Sequence, residues 1–95
     1  MVLKVPKVWV ADDDEAIRIV LEEGLNRDGL EIRTFSDGQS LIDALNKDKP
    51  DLIISDIKMP GMHGYDLLKH IKNNYEKLPV IITVSYTHLR AHETS

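Results

Sequence analysis

Residues 8–25 read VWVADDDEAIRIVLEEGL and residues 50–57 read PDLIISDI. In both stretches an apolar run stops on acid: Val8 to Ala11 leads into Asp12-Asp13-Asp14, and Leu52 to Ser55 leads into Asp56. Short runs that are apolar at nearly every position are the pattern of parallel strands covered on both faces. Neighbouring strands lie roughly 4.8 Å apart. If these two runs are neighbours, their terminal acids converge at one sheet edge and repel one another unless a hard cation sits between them. The pattern therefore predicts a magnesium site with a reactive carboxylate.

Outward from these runs, strand and helix patterns alternate. Lys7 to Ala11 is the first strand. Glu15 to Asp28 carries Ile17, Val20, Leu21 and Leu25 at helical spacing, with Arg18, Glu22, Glu23 and Arg27 expected on the outer side. Asp13 or Asp14 is placed to cap this helix, and Asp28-Gly29 to end it. Leu30 to Phe35 reads as a second strand closed by the turn residues Ser36-Asp37-Gly38. Ser40 to Lys47 is a second helix with Leu41, Ile42 and Leu45 inward, and Leu52 to Ser55 a third strand. A loop, Lys58-Met59-Pro60-Gly61-Met62-His63-Gly64, precedes a helix from Tyr65 to Tyr75 that should bury Leu67, Leu68 and Ile71. Val80 to Thr83, after Pro79, is the fourth strand. Alternation of this kind predicts an α/β, doubly wound parallel sheet with right-handed crossovers. In the flavodoxin-like order the first and third strands flank the switch point, where ligands bind beyond the strand ends. Asp12, Asp13 and Asp56 then reach one ion.

Composition narrows the function classes. The 95 residues make at most one small domain, and 12 basic against 16 acidic residues leave a formal net charge of −4, unlike a nucleic-acid-binding surface. With no cysteine there is no disulfide, thiolate metal site or thiol nucleophile. Charges and Pro6 interrupt the N-terminal residues before any signal-type stretch forms, and no run approaches the ~20 apolar residues of a membrane helix. A soluble, cytoplasmic chain with no membrane contact is expected; its oligomeric state is not indicated.

Oxygen-only donors suit magnesium, which takes one or two protein carboxylates together with a phosphate. A carboxylate beside that cation can attack a phosphoryl group. Asp56 stands alone at its strand end before a glycine-containing loop and is the better nucleophile, whereas the adjacent Asp12 and Asp13 are better disposed to hold metal. Blander roles compete. Asp13 or Asp14 can act only as a helix cap, which is the reading preferred for Asp14 and Glu15, and Asp56 can merely open a turn. His70 lies beside Lys69 and Lys72 on a solvated helix face, His63 has no partner at ligand spacing, and Trp9 reads as packing. No GxSxG, P-loop or GxGxxG motif occurs.

The stretches at Val8 to Leu25, at Pro50 to Lys72 (PDLIISDIKMPGMHGYDLLKHIK) and at Leu78 to Ile82 (LPVII) together resemble the receiver domain of bacterial two-component response regulators. Trp9 and the string SDIKMPGM most resemble the NtrC type, the nitrogen-regulation class of sigma-54-dependent activators. The resemblance implies a CheY-like fold and a signalling switch rather than a metabolic enzyme. It implies that Asp56 accepts a phosphoryl group from a sensor histidine kinase. Magnesium would be held by Asp13 directly, Asp12 largely through water, Asp56, and the backbone carbonyl of Lys58. An ATPase and a DNA-binding domain would follow in the parent protein.

The chain also departs from the family pattern. His63 stands where an acid is common. The hydroxyl expected at position 84 is replaced by Val84, with Thr83 one place early, and a one-residue slip should aim Thr83 away from the phosphoryl group. The fifth strand with its lysine, and the fourth and fifth helices, are not present. Residues 1–83 are thus expected to form a partial receiver with strand order 2-1-3-4. The ending VSYTHLRAHETS at residues 84–95 looks like adapter read-through. Such a chain is expected to bind magnesium weakly and not to switch. Two rivals remain open at this stage. A haloacid-dehalogenase-type phosphatase would use Asp12 as nucleophile with Asp14 two residues on, although Ala16 replaces its usual hydroxyl. A phosphorylation-independent interaction module would keep only a vestigial pocket.

Overall fold

The computed structural model describes residues 5–58 and 64–83. Its four strands are β1 (Lys7–Ala11), β2 (Glu31–Phe35), β3 (Leu52–Asp56) and β4 (Val80–Thr83), and its helices are α1 (Glu15–Arg27), α2 (Gly38–Leu45) and α3 (Gly64–Asn74). All pairings are parallel and the sheet order is β2-β1-β3-β4. This is the parallel sheet expected from the alternation of patterns, in the 2-1-3-4 order that the receiver resemblance implies.

Register decides which side chains meet. Trp9 pairs with Ile53 and Ala11 with both Phe35 and Ser55, so these residues share one face of the sheet. Against it pack Leu41, Ile42, Ala44 and Leu45 of α2 and Leu67 and Ile71 of α3. Trp9 and Phe35 set their rings 5.3 Å apart at a 56° tilt, a geometry that suits the charge distribution of aromatic rings. Trp9 is therefore core packing, as its sequence context indicates.

Helix ends follow their local chemistry. Asp14 is extended and its side chain accepts from the amides of Ala16 and Ile17, so it is the cap of α1. Gly29 takes φ 83°, which lets the Leu30 amide turn back to the Leu25 carbonyl and close the helix. Asp37 caps α2 by accepting from the Ser40 amide at 2.7 Å. That bond also holds the Asp37 carboxyl below its ordinary range. Consequently α2 begins at Gly38 rather than Ser40; it ends at Leu45 rather than Lys47, with Asn46 as its C-cap.

Four expectations about side-chain direction need correcting, for Arg18, Val20, Leu68 and His70. Val20 faces outward, 68% exposed, and α1 has no fully buried residue. Its inner stripe is Ile17, Leu21 and Leu25, all half-buried, and Arg18 is half-buried beside them. At 3.6 residues per turn, Arg18 lies roughly 60° and Val20 roughly 100° from the centre of that stripe. In α3, Leu67 and Ile71 are fully buried, but Leu68 and His70 are both intermediate. Residues 59–63, with Met59, Met62 and His63, and residues 84–95, with Val84, lie outside the described residues. Among the described residues no helix is long and apolar enough to cross a membrane.

Candidate functional site

β1 and β3 are adjacent, and their register sets Ala11 opposite Ser55. The residues that follow, Asp12 and Asp56, therefore emerge side by side at the carboxyl edge of the sheet. Asp12 is 6% and Asp56 2% exposed, while Asp13 is open to solvent. One carboxylate oxygen from each of Asp12, Asp13 and Asp56 lies within 4.8 Å of the other two. Three acids at that separation are mutually repulsive without a counter-charge.

The Asp12 carboxyl is accordingly pushed above its usual range, first by burial and then by repulsion from Asp56, Asp13 and Asp14. The Asp14 amide opposes this by donating to Asp12 Oδ1 at 2.9 Å. The Asp12 amide donates to the Phe35 carbonyl at 3.0 Å. Arg18 Nη1 donates to the Asp12 carbonyl oxygen at 2.7 Å. Sequence reasoning placed Arg18 on the outer face and missed this contact.

Asp56 divides its two oxygens. Oδ1 accepts from the Lys58 amide at 3.4 Å, the contact expected of an aspartate that merely opens a turn. Oδ2 is buried and has no hydrogen-bond partner among the described residues. A buried, unbonded carboxylate oxygen costs roughly 1–3 kcal/mol or more if nothing compensates it. The turn accounts for one oxygen and leaves the other without a hydrogen bond. A hard cation satisfies both the unbonded oxygen and the mutual repulsion, so the donor set fits magnesium.

The remaining residues singled out from the sequence are placed as follows. Thr83 is the register partner of Asp56, and its hydroxyl donates to the Ser55 carbonyl at 3.4 Å. The Ser55 hydroxyl, on the opposite face of β3, donates to the Asp56 carbonyl at 3.1 Å. Lys58 is exposed at the end of the described segment. Asp14, the second acid of the phosphatase reading, is committed to capping α1 and stands outside the carboxylate triad.

A family model for the response regulator receiver domain matches residues 8–94. The DNA-binding transcriptional regulator NtrC of Escherichia coli (strain K12) is 49% identical over 84 residues, covering 88% of this chain and 18% of that protein. Sporulation initiation phosphotransferase F of Bacillus subtilis (strain 168) is 37% identical over 83 residues, covering 87% of this chain and 67% of that protein. The response regulator protein TrrA from Thermotoga maritima, solved in complex with Mg2+ and BeF, superposes with a TM-score of 0.82 at 31% identity over 92% of this chain and 76% of that one. The chain thus spans less than a fifth of the NtrC protein and about two thirds of the Bacillus protein.

Proposed function

The chain belongs to the response regulator receiver domain family, and from that premise we propose that it is the phosphoacceptor module of a two-component switch, with Asp56 as acceptor. The observation that carries this reading is Asp56 itself, a member of the carboxylate triad whose Oδ2 is buried and has no hydrogen-bond partner among the described residues. Asp12, Asp13 and Asp56 would hold magnesium together, with the Lys58 carbonyl as a further donor. Bound there, magnesium supplies positive charge against the phosphoryl oxygens.

The transfer itself belongs to Asp56. A carboxylate oxygen attacks phosphorus, the P–N bond of a donor phosphohistidine breaks, and its electron pair leaves on the imidazole nitrogen. When the other ring nitrogen carries a proton, the products are an aspartyl phosphate and a neutral histidine. Asp56 is held at the end of β3 beside Asp12, so little reorganisation of the acceptor is needed. The module is a switch and not a metabolic enzyme: the added charge biases a conformational equilibrium. Thr83 must leave the Ser55 carbonyl to respond to that charge, which favours phosphorylation with weak structural coupling. By likeness to NtrC we further propose a sensor histidine kinase as donor, a cytoplasmic setting, and transcriptional output through ATPase and DNA-binding domains of a parent protein.

Radiolabelled acetyl phosphate tests the acceptor role. Label should enter the chain only with Mg2+ present and should be lost in Asp56→Asn. Label retained in that variant would overturn the assignment.

A further inference from the structure

Asp13 poses a positioning problem. It is the exposed member of the triad, and its carboxylate makes no hydrogen bond among the described residues. Neither burial nor a partner fixes its direction, so that direction depends on the peptide plane from which Asp13 springs. The plane contains the carbonyl of Asp12, and Arg18 Nη1 grips that carbonyl at 2.7 Å. The two other anchors of this turn act on Asp12 itself, through its amide to the Phe35 carbonyl and its Oδ1 to the Asp14 amide. Neither touches the carbonyl that leads into Asp13.

We propose that Arg18 is a positioning residue for the metal-binding turn, fixing the Asp12–Asp13 peptide so that the Asp13 carboxylate is held toward the ion. The inference rests on reading the triad as a magnesium site. Two effects of Arg18 oppose one another. Its positive charge disfavours a nearby cation, whereas its hydrogen bond removes the freedom of the turn. The charge is half-exposed and therefore screened by water and salt. The bond is short, made by an ionised donor, and of the stronger class. Anchoring outweighs repulsion, and removing Arg18 weakens magnesium binding rather than strengthening it.

The test compares the full chain with Arg18→Met, which keeps the aliphatic stem, and with Arg18→Lys, which keeps charge and one reach of donor. Calorimetric titration with MgCl2 should show about tenfold weaker binding in Arg18→Met, the order expected for one bond to a charged group, and partial recovery in Arg18→Lys. Without metal, hydrogen exchange at the Asp14 amide should speed up about tenfold in Arg18→Met while the Asp12 amide, paired across to β2, stays protected. Equal or tighter magnesium binding in Arg18→Met would overturn the proposal, as would unchanged exchange at Asp14. If neither variant folds, Arg18 is a determinant of the fold and the proposal is wrong. If the unaltered chain takes up no magnesium, the site reading fails, and the exchange measurement still judges Arg18 separately.

Discussion

Asp12 is the residue whose chemistry the fold alters most visibly. Its carboxyl is pushed above the ordinary value of 3.8 chiefly by burial, with Asp56, Asp13 and Asp14 adding to the effect. The folded chain therefore holds a proton on Asp12 at pH values where the unfolded chain has released it. Stability from this group is present at low pH and is lost as pH rises from 3.8 through the raised folded value. Magnesium competes with the same proton. Its affinity should climb with pH across that window, and Asp12→Asn should flatten the climb; titration calorimetry over a series of acidic to neutral buffers measures it, and a slope unchanged in Asp12→Asn would contradict it. At this scale the acids were legible because strand-end carboxylates leave a plain trace in the sequence. Arg18 was not, because a guanidinium reaching a main-chain carbonyl six residues back has no periodic signature. A basic residue on the inner half of a helix that follows an acid run is the signal that finds it.

Among the elements, α1 and α3 differ in how firmly they hold the sheet. α3 drives Leu67 and Ile71 into the core at 0% exposure, whereas α1 buries nothing fully and leaves Ile19 and Val20 at 48% and 68%. Leu67→Ala should cost about 2–5 kcal/mol, since it removes contacts and leaves a cavity. Val20→Ala should stay within about 0.5 kcal/mol. Urea unfolding of the two variants checks the contrast, and similar losses from both would show that α1 is packed more tightly than described. Every helix and strand was readable from apolar spacing and turn residues. The facing of α1 was not, because Ile17, Ile19, Val20, Leu21 and Leu25 spread around too much of the helix for periodicity to choose a side. Likewise the start of α2 depended on the Asp37 cap, which turn composition alone does not separate from a loop.

At the scale of the whole molecule, strand order produces the site. Inserting β1 between β2 and β3 brings two acid-tipped strands together, and Asp12, Asp13 and Asp56 come within 4.8 Å of one another. Alternation of strands and helices pointed to a doubly wound parallel sheet, and the order 2-1-3-4 came with the flavodoxin-like reading and the receiver resemblance. The separation of the carboxylates, and the division of labour between the two oxygens of Asp56, required coordinates, because sequence spacing says nothing of side-chain rotamers across strands. Asp14 is the contrasting case: its role as the cap of α1, outside the triad, was already the preferred reading of the sequence. The central claim is that Asp56 receives the phosphoryl group. It is tested most directly by treating the chain with Mg2+ and acetyl phosphate, reducing the product with borohydride, and locating the resulting homoserine by peptide mass spectrometry. Homoserine at position 56 is the predicted result, and homoserine at position 12 would contradict it.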